Sequence, residues 1–170
     1  QANEVAGVVL SKSTWAVLAL TCLIELFTQA HYRQSIDPDS NLSELWKDVF
    51  LFHWREESQH AILDELEWLR EDAKLTDAQR EQAVDDTIAL VAAVDDILQA
   101  QSPADAAYFF ANCVGHYHDA DRQRVGETLL KAYRWQYIVS GVQEPRFAGL
   151  LESLTTPQQM QRIAAALAPI

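Results

Sequence analysis

The sequence predicts an all-α protein: an antiparallel bundle of four main helices, followed by one or two short C-terminal ones. Three observations point there. Five Gly and five Pro in 170 residues leave few turn formers for an all-β fold. About half of the residues are apolar, enough to build one core in one domain spanning residues 1–170. Helix-capping signals also recur at intervals that suit helices of many turns.

The elements follow from that punctuation. A first helix is expected to end near Ile36, ahead of the turn Asp37-Pro38-Asp39-Ser40. From Trp15 to Phe27 it is apolar almost all round, so burial on most sides is expected. Asn41-Leu42-Ser43-Glu44 offers an N-cap with an acid three residues on, opening a second helix from about Leu42 to Asp72. Thr76-Asp77-Ala78-Gln79 is a capping box for a third, from Asp77 to Ala100. Ser102, Pro103 and Asp105 supply a cap, a proline in the first turn and an acid, opening a fourth from Pro103 to Ser140. The polar run from His116 to Asp121 could interrupt it. Yet Ala107, Ala111, Val114, His118, Val125 and Leu129 keep a common stripe across the run, which predicts an unbroken helix. Gly141 and Pro145 are expected to close it, and Thr156-Pro157-Gln158-Gln159 opens a short final helix. Short loops make consecutive helices antiparallel.

Composition narrows the function. A net charge of −12 with no basic stripe excludes nucleic acid as a partner and disfavours an anionic membrane surface. The longest apolar run, Ala16 to Phe27, is too short to span a bilayer and is interrupted by Glu25. No basic region followed by an apolar stretch and a cleavage site opens the chain, so no signal peptide is expected. Cys22 and Cys113 form no paired motif and read as small buried hydrophobes, which fits a reducing, cytoplasmic setting.

Two helices carry residues that packing alone does not explain. Glu25 lies inside the apolar first helix with no Lys or Arg near it, so it needs a hydrogen-bonding or cationic partner. On the second helix, Trp46, Val49, His53, Glu57, His60, Asp64 and Glu67 share a stripe, beside a second one of Leu45, Phe52, Leu63 and Leu66. The amphipathic alternative turns those leucines to the core and the charged stripe to water. Depth favours a site. Glu25 lies fourteen residues before Asp39, while His53 and Glu57 lie fourteen and eighteen after it. At about 1.5 Å of rise per residue, an antiparallel hairpin brings these groups level. Glu57 and His60, three apart, project from one face.

A carboxylate on one helix and Glu-x-x-His on its neighbour make half of a carboxylate-bridged dimetal site. Here the hairpin from about Ser13 to Leu69 resembles the ferritin-like superfamily of di-iron carboxylate proteins, through Glu25 and His53-Trp-Arg-Glu-Glu57-Ser-Gln-His60. The resemblance implies a ferritin-like four-helix bundle in which Glu25, Glu57 and His60 ligate metal, with His53 as an added ligand. The second half lacks another Glu-x-x-His. His118, on the inward stripe and fifteen residues past Pro103, is the candidate there, with Asp121 as ligand or second-layer acceptor. Glu127 reads as a surface ion pair with Lys131, and neither Asp85 nor Asp95 on the third helix fits both depth and face.

The implied cofactor is iron, two ions, or alternatively manganese. The implied function is an oxygen- or peroxide-dependent oxidoreductase acting on a small molecule, with homodimer formation as an option. Two alternatives stand beside it. One is iron binding or storage. The other is a metal-free interaction module in which Arg122 neutralises a Glu25–Glu57 cluster.

Overall fold

In a computed structural model that describes residues 2–170, the chain is all-helical, and no strand occurs among the described residues. A short α1 (Ala2–Leu10), not anticipated from the sequence, precedes α2 (Thr14–His31), which continues as a π-helical turn over Tyr32–Ile36. Then come α3 (Glu44–Asp72) and α4 (Asp77–Asn112). Helix α5 (Asp119–Arg134) continues through a π-helical segment, Trp135–Val139, and a last turn, Ser140–Val142. Two short helices, α6 (Pro145–Leu154) and α7 (Pro157–Leu167), form the tail.

The capping box of Thr76 with Gln79 forms as the sequence indicates, and Thr156 opens the final helix as expected, with a capping box to Gln159. Helix α3 starts slightly later than expected. Its N-cap is Ser43, whose hydroxyl accepts from the Trp46 amide, while Asn41 instead donates its amide to the Asp39 carboxylate.

The larger correction concerns the second half. Ser102-Pro103 does not open a helix; α4 runs through it. A proline inside a helix costs about 3 kcal/mol, so tertiary contacts must hold α4 together there. They do. Ser102 Oγ donates to the Gly126 carbonyl on α5 (2.7 Å), and Tyr133 donates to Asp105 (2.7 Å). Between them and the helix start, Arg134 clamps Asp95 with two 2.7 Å bonds. The break falls instead at Cys113–His118, and Val114, expected in the core, is fully exposed. The periodicity across that run was fortuitous, because Gly115 and the polar residues after it favour a turn over continued helix.

Helix α2 is the hub. It packs on α3, on α4 and on the C-terminal end of α5, whereas α3 makes no extended packing with α4 or α5 among the described residues. Trp15 and Trp68 meet edge to face at 5.0 Å in the main core, with Cys22, Leu26, Ala61 and Phe147 around them. The helical run from α5 closes between Gly141 and Pro145 as the sequence indicates, its last residue being Val142, and Gly141 has a packing role besides. A Cβ there would stand 2.6 Å from Leu23 Cδ1 and 3.0 Å from the Leu23 carbonyl oxygen, so the bare glycine lets α5 approach α2.

Because α3 has only one large neighbour, its far side is open. Leu45, Phe52, Leu63 and Leu66 are 75, 64, 56 and 59 % exposed, and Val49 is also exposed. The amphipathic alternative, which sent these leucines inward, is therefore wrong about their direction. The residues α3 buries are Ala61 and Trp68, both against α2 and the tail.

Candidate metal centre

The α2–α3 pairing brings Glu25, Glu57 and His60 together, each offering a donor atom within 4.8 Å of the others. Glu25 and Glu57 are half-buried and His60 is exposed. Glu57 is the hub. One oxygen lies 2.7 Å from His53 Nε2 and the other 2.7 Å from His60 Nδ1. Spacings of four and three residues on one helix produce this arrangement directly.

The carboxyl groups of Glu25 and Glu57 approach one another, with oxygens within 4.8 Å. A like charge at that range disfavours ionisation of the second carboxyl. Burial first, then the neighbouring Glu57 carboxyl, push Glu25 up to about 7. Burial also works to raise Glu57, but Glu25 and the hydrogen-bonded His60 outweigh it and hold Glu57 below the usual carboxylate range. His60 is raised, chiefly by its hydrogen bond to Glu57. Glu25 is therefore the weaker acid of the two and Glu57 the stronger. Asp64, one turn beyond His60, adds negative charge that Glu25 feels, a contribution the sequence reading left unassigned.

His118 and Asp121 do not join this group. His118 is the exposed N-cap of α5, its amide donating to Asp121 Oδ2 (3.1 Å), while Asp121 Oδ1 accepts from Arg124 (2.7 Å). The sequence period puts His118 on an inward stripe of a continuous helix with Asp121 bordering it, and the Cys113–His118 break removes that stripe. They form a helix cap.

The other weighed residues also resolve. Arg122 stands 4.8 Å over the Phe110 ring and makes no contact with the Glu pair, which removes it as the neutralising cation. Asp95 is bound to Arg134 and Gln99, Asp85 to Arg162, and Glu127 accepts from Gln123 rather than pairing with Lys131. Tyr32 stacks on Trp54 and points its hydroxyl toward Asp37. His31 packs edge-on against Phe50. Cys22 is buried and Cys113 partly so, both with free thiols.

The donor set suits a metal. Two carboxylates and an imidazole, with a second imidazole on Glu57, match the oxygen and nitrogen preference of iron and manganese. A cation held between Glu25 and Glu57 would relieve the repulsion of their like charges. No family model, curated protein or solved structure matches the chain. No helix is long and apolar enough to cross a membrane among the described residues.

Proposed function

We propose that this protein binds iron or manganese at Glu25, Glu57 and His60, and uses the metal in an oxygen- or peroxide-dependent redox reaction. The observation that supports this reading is the convergence of the three donors from two helices. Most of α2 around Glu25 is apolar, and a protein that merely needed solubility gains nothing from a carboxyl pair there. In this reading the α2–α3 hairpin is ferritin-like, and the four-helix character of that superfamily belongs to the proposal.

Glu25 and Glu57 would hold the metal through carboxylate oxygens and His60 through an imidazole nitrogen. His53, bonded to Glu57, would orient that carboxylate or turn to become a further ligand. A bound iron or manganese supplies the change of oxidation state that reduces dioxygen or peroxide. The chain's own part is to exclude water on the α2 side, through the buried row Cys22, Leu26 and Gln29, and to release the proton on Glu25 as the cation enters.

A second reading has its own observation. His53 and His60 already bond Glu57, so the cluster could be a metal-free network that ties α3 to α2. Metal analysis of anaerobically purified protein separates the two. Bound Fe or Mn that is lost in both Glu57→Ala and His60→Ala supports the metal reading. Metal content unchanged in both variants moves the site elsewhere, and no binding at micromolar metal leaves the network.

A further inference from the structure

One face of α3 has no partner among the described residues. The side that meets α2 carries Ser58, bonded to Gln29, and the buried Ala61 and Trp68. Half a turn round the helix, Leu45, Val49, Phe52, Leu63 and Leu66 are each more than half exposed. Single apolar residues on a surface need no explanation, but these follow a rule. They fall on a strict alternation of four and three residues, which Glu56, Gln59 and Arg70 complete. That spacing, held from residue 45 to 70, is the seam of a coiled coil, and it lies on the side of α3 away from α2.

The order of residues along the seam says what fits it. Reversed, the seam matches itself: about a centre between Glu57 and Ser58, Val49 is matched by Leu66, Phe52 by Leu63 and Glu56 by Gln59. An antiparallel second copy therefore sets apolar against apolar in two layers on each side, with an acid against an amide in the middle. The Gln59 amide can donate to the Glu56 carboxylate twice, once on each side of the two-fold axis. At the ends, Arg70 comes beside the other copy's Asp48, a cation beside an anion.

Other arrangements lose these matches. A slip of one heptad either way sets Glu56 and Gln59 against apolar residues, which leaves buried polar groups unpaired. Parallel pairing sets Glu56 against Glu56 and Arg70 against Arg70, like charge against like. Polar residues inside a seam specify register and orientation in this way.

We propose that this chain forms a homodimer through α3, two α3 helices pairing antiparallel with Glu56 of each facing Gln59 of the other. Such a contact is isologous and needs the self-complementary surface that the seam provides. Glu25 and Glu57 lie between α2 and α3, outside the seam. The pairing therefore neither completes the metal group nor rests on the metal reading.

The face is large enough. Each of the five apolar seam side chains still exposes on the order of 100 Å², so both copies together bury about 1,000 Å² through them alone. That is the least a specific interface needs, and the exposed Ile62 and Leu69 at the edge of the seam add to it.

The test is sedimentation velocity of the full chain from micromolar to sub-millimolar concentration. The expected result is a reversible equilibrium between monomer and dimer. Phe52→Lys and Leu63→Glu should each weaken association by at least about thirtyfold, as loss of a central apolar anchor does. The double variant should recover it, because each new ammonium then faces a new carboxylate on the other copy, twice across the axis. Within one chain the two positions are about 16 Å apart along the helix, too far to pair, so the rescue reports a contact between copies. Both side chains are exposed, so far-ultraviolet helicity should hold in every variant, which separates lost pairing from lost folding. A monomer at every concentration overturns the proposal and leaves the face to a partner of another sequence. A dimer indifferent to both single substitutions places the contact elsewhere and overturns it too. Loss in the single variants without rescue in the double one overturns the antiparallel register.

Discussion

Glu25 on α2 and Glu57 on α3 bring carboxylate oxygens within 4.8 Å of one another, and Glu57 holds His53 and His60 at 2.7 Å on its two oxygens. The arrangement ties stability, and any metal bound there, to pH with definite signs.

Without metal, Glu25 titrates near 7 in the folded protein against 4.5 in its ordinary state. The folded form binds the proton more tightly, so this contribution is full below 4.5 and is lost as pH rises through about 7. His60, raised above 6.5, acts in the same direction at higher pH. The expected outcome is a melting temperature that falls between pH 4.5 and 7 in metal-free protein, and a flatter profile in Glu25→Gln. Equal slopes in the two proteins would show that Glu25 does not carry the effect.

Metal affinity should run the opposite way. Binding must displace the Glu25 proton and any proton on His60, so affinity weakens by about tenfold per pH unit for each proton displaced below about 7. Calorimetric titration with Mn²⁺ in buffers of different ionisation enthalpy counts the protons. Zero proton release at about pH 6 would contradict a Glu25 carboxyl pushed up to about 7.

Alanine at Glu25, Glu57 or His60 should reduce metal affinity by at least about tenfold, with Glu57 the most damaging. Alanine at His118 or Asp121 should leave metal content unchanged and cost only the modest stability of a helix cap, about 1 kcal/mol. Metal analysis and thermal melts on the five variants decide this. Metal loss in His118→Ala would require α5 to reach the site.

Gly141→Ala should destabilise the fold by about 1–3 kcal/mol, because the added methyl meets Leu23 at its Cδ1 and at its backbone oxygen. Pairing it with Leu23→Ala should recover little, since the backbone contact remains. Denaturant midpoints measure both.

Arg134→Ala should cost about 3 kcal/mol by stranding the buried Asp95 carboxylate. The Arg134 hydrogen bonds hold Asp95 below its ordinary 3.8, so the pair's contribution is present above 3.8 and fades as pH falls through the lower folded-state value. An acid-unfolding midpoint that rises in Arg134→Ala is the expected signature.

The sequence by itself determined the all-helical class, the capping box at Thr76, the helix start at Thr156, and the hairpin that sets Glu25 level with Glu57 and His60. Those features depend on spacing along one helix or across one short turn, and local geometry fixes both. Tertiary structure alone decided the rest. Ser102-Pro103 reads as a helix start, yet Ser102 bonded to Gly126 and Asp95 clamped by Arg134 carry α4 through it. His118 reads as core by period, yet the chain breaks before it and leaves it a cap. Gly141 marks the helix end in the sequence, but its close packing against Leu23 shows only in the fold. The alternative that turns the leucines of α3 to the core fails, because α2 packs on the opposite side. Each of these outcomes depends on which helix lies beside which. Residues 24 to 118 positions apart in the chain make that choice, through contacts no local pattern encodes.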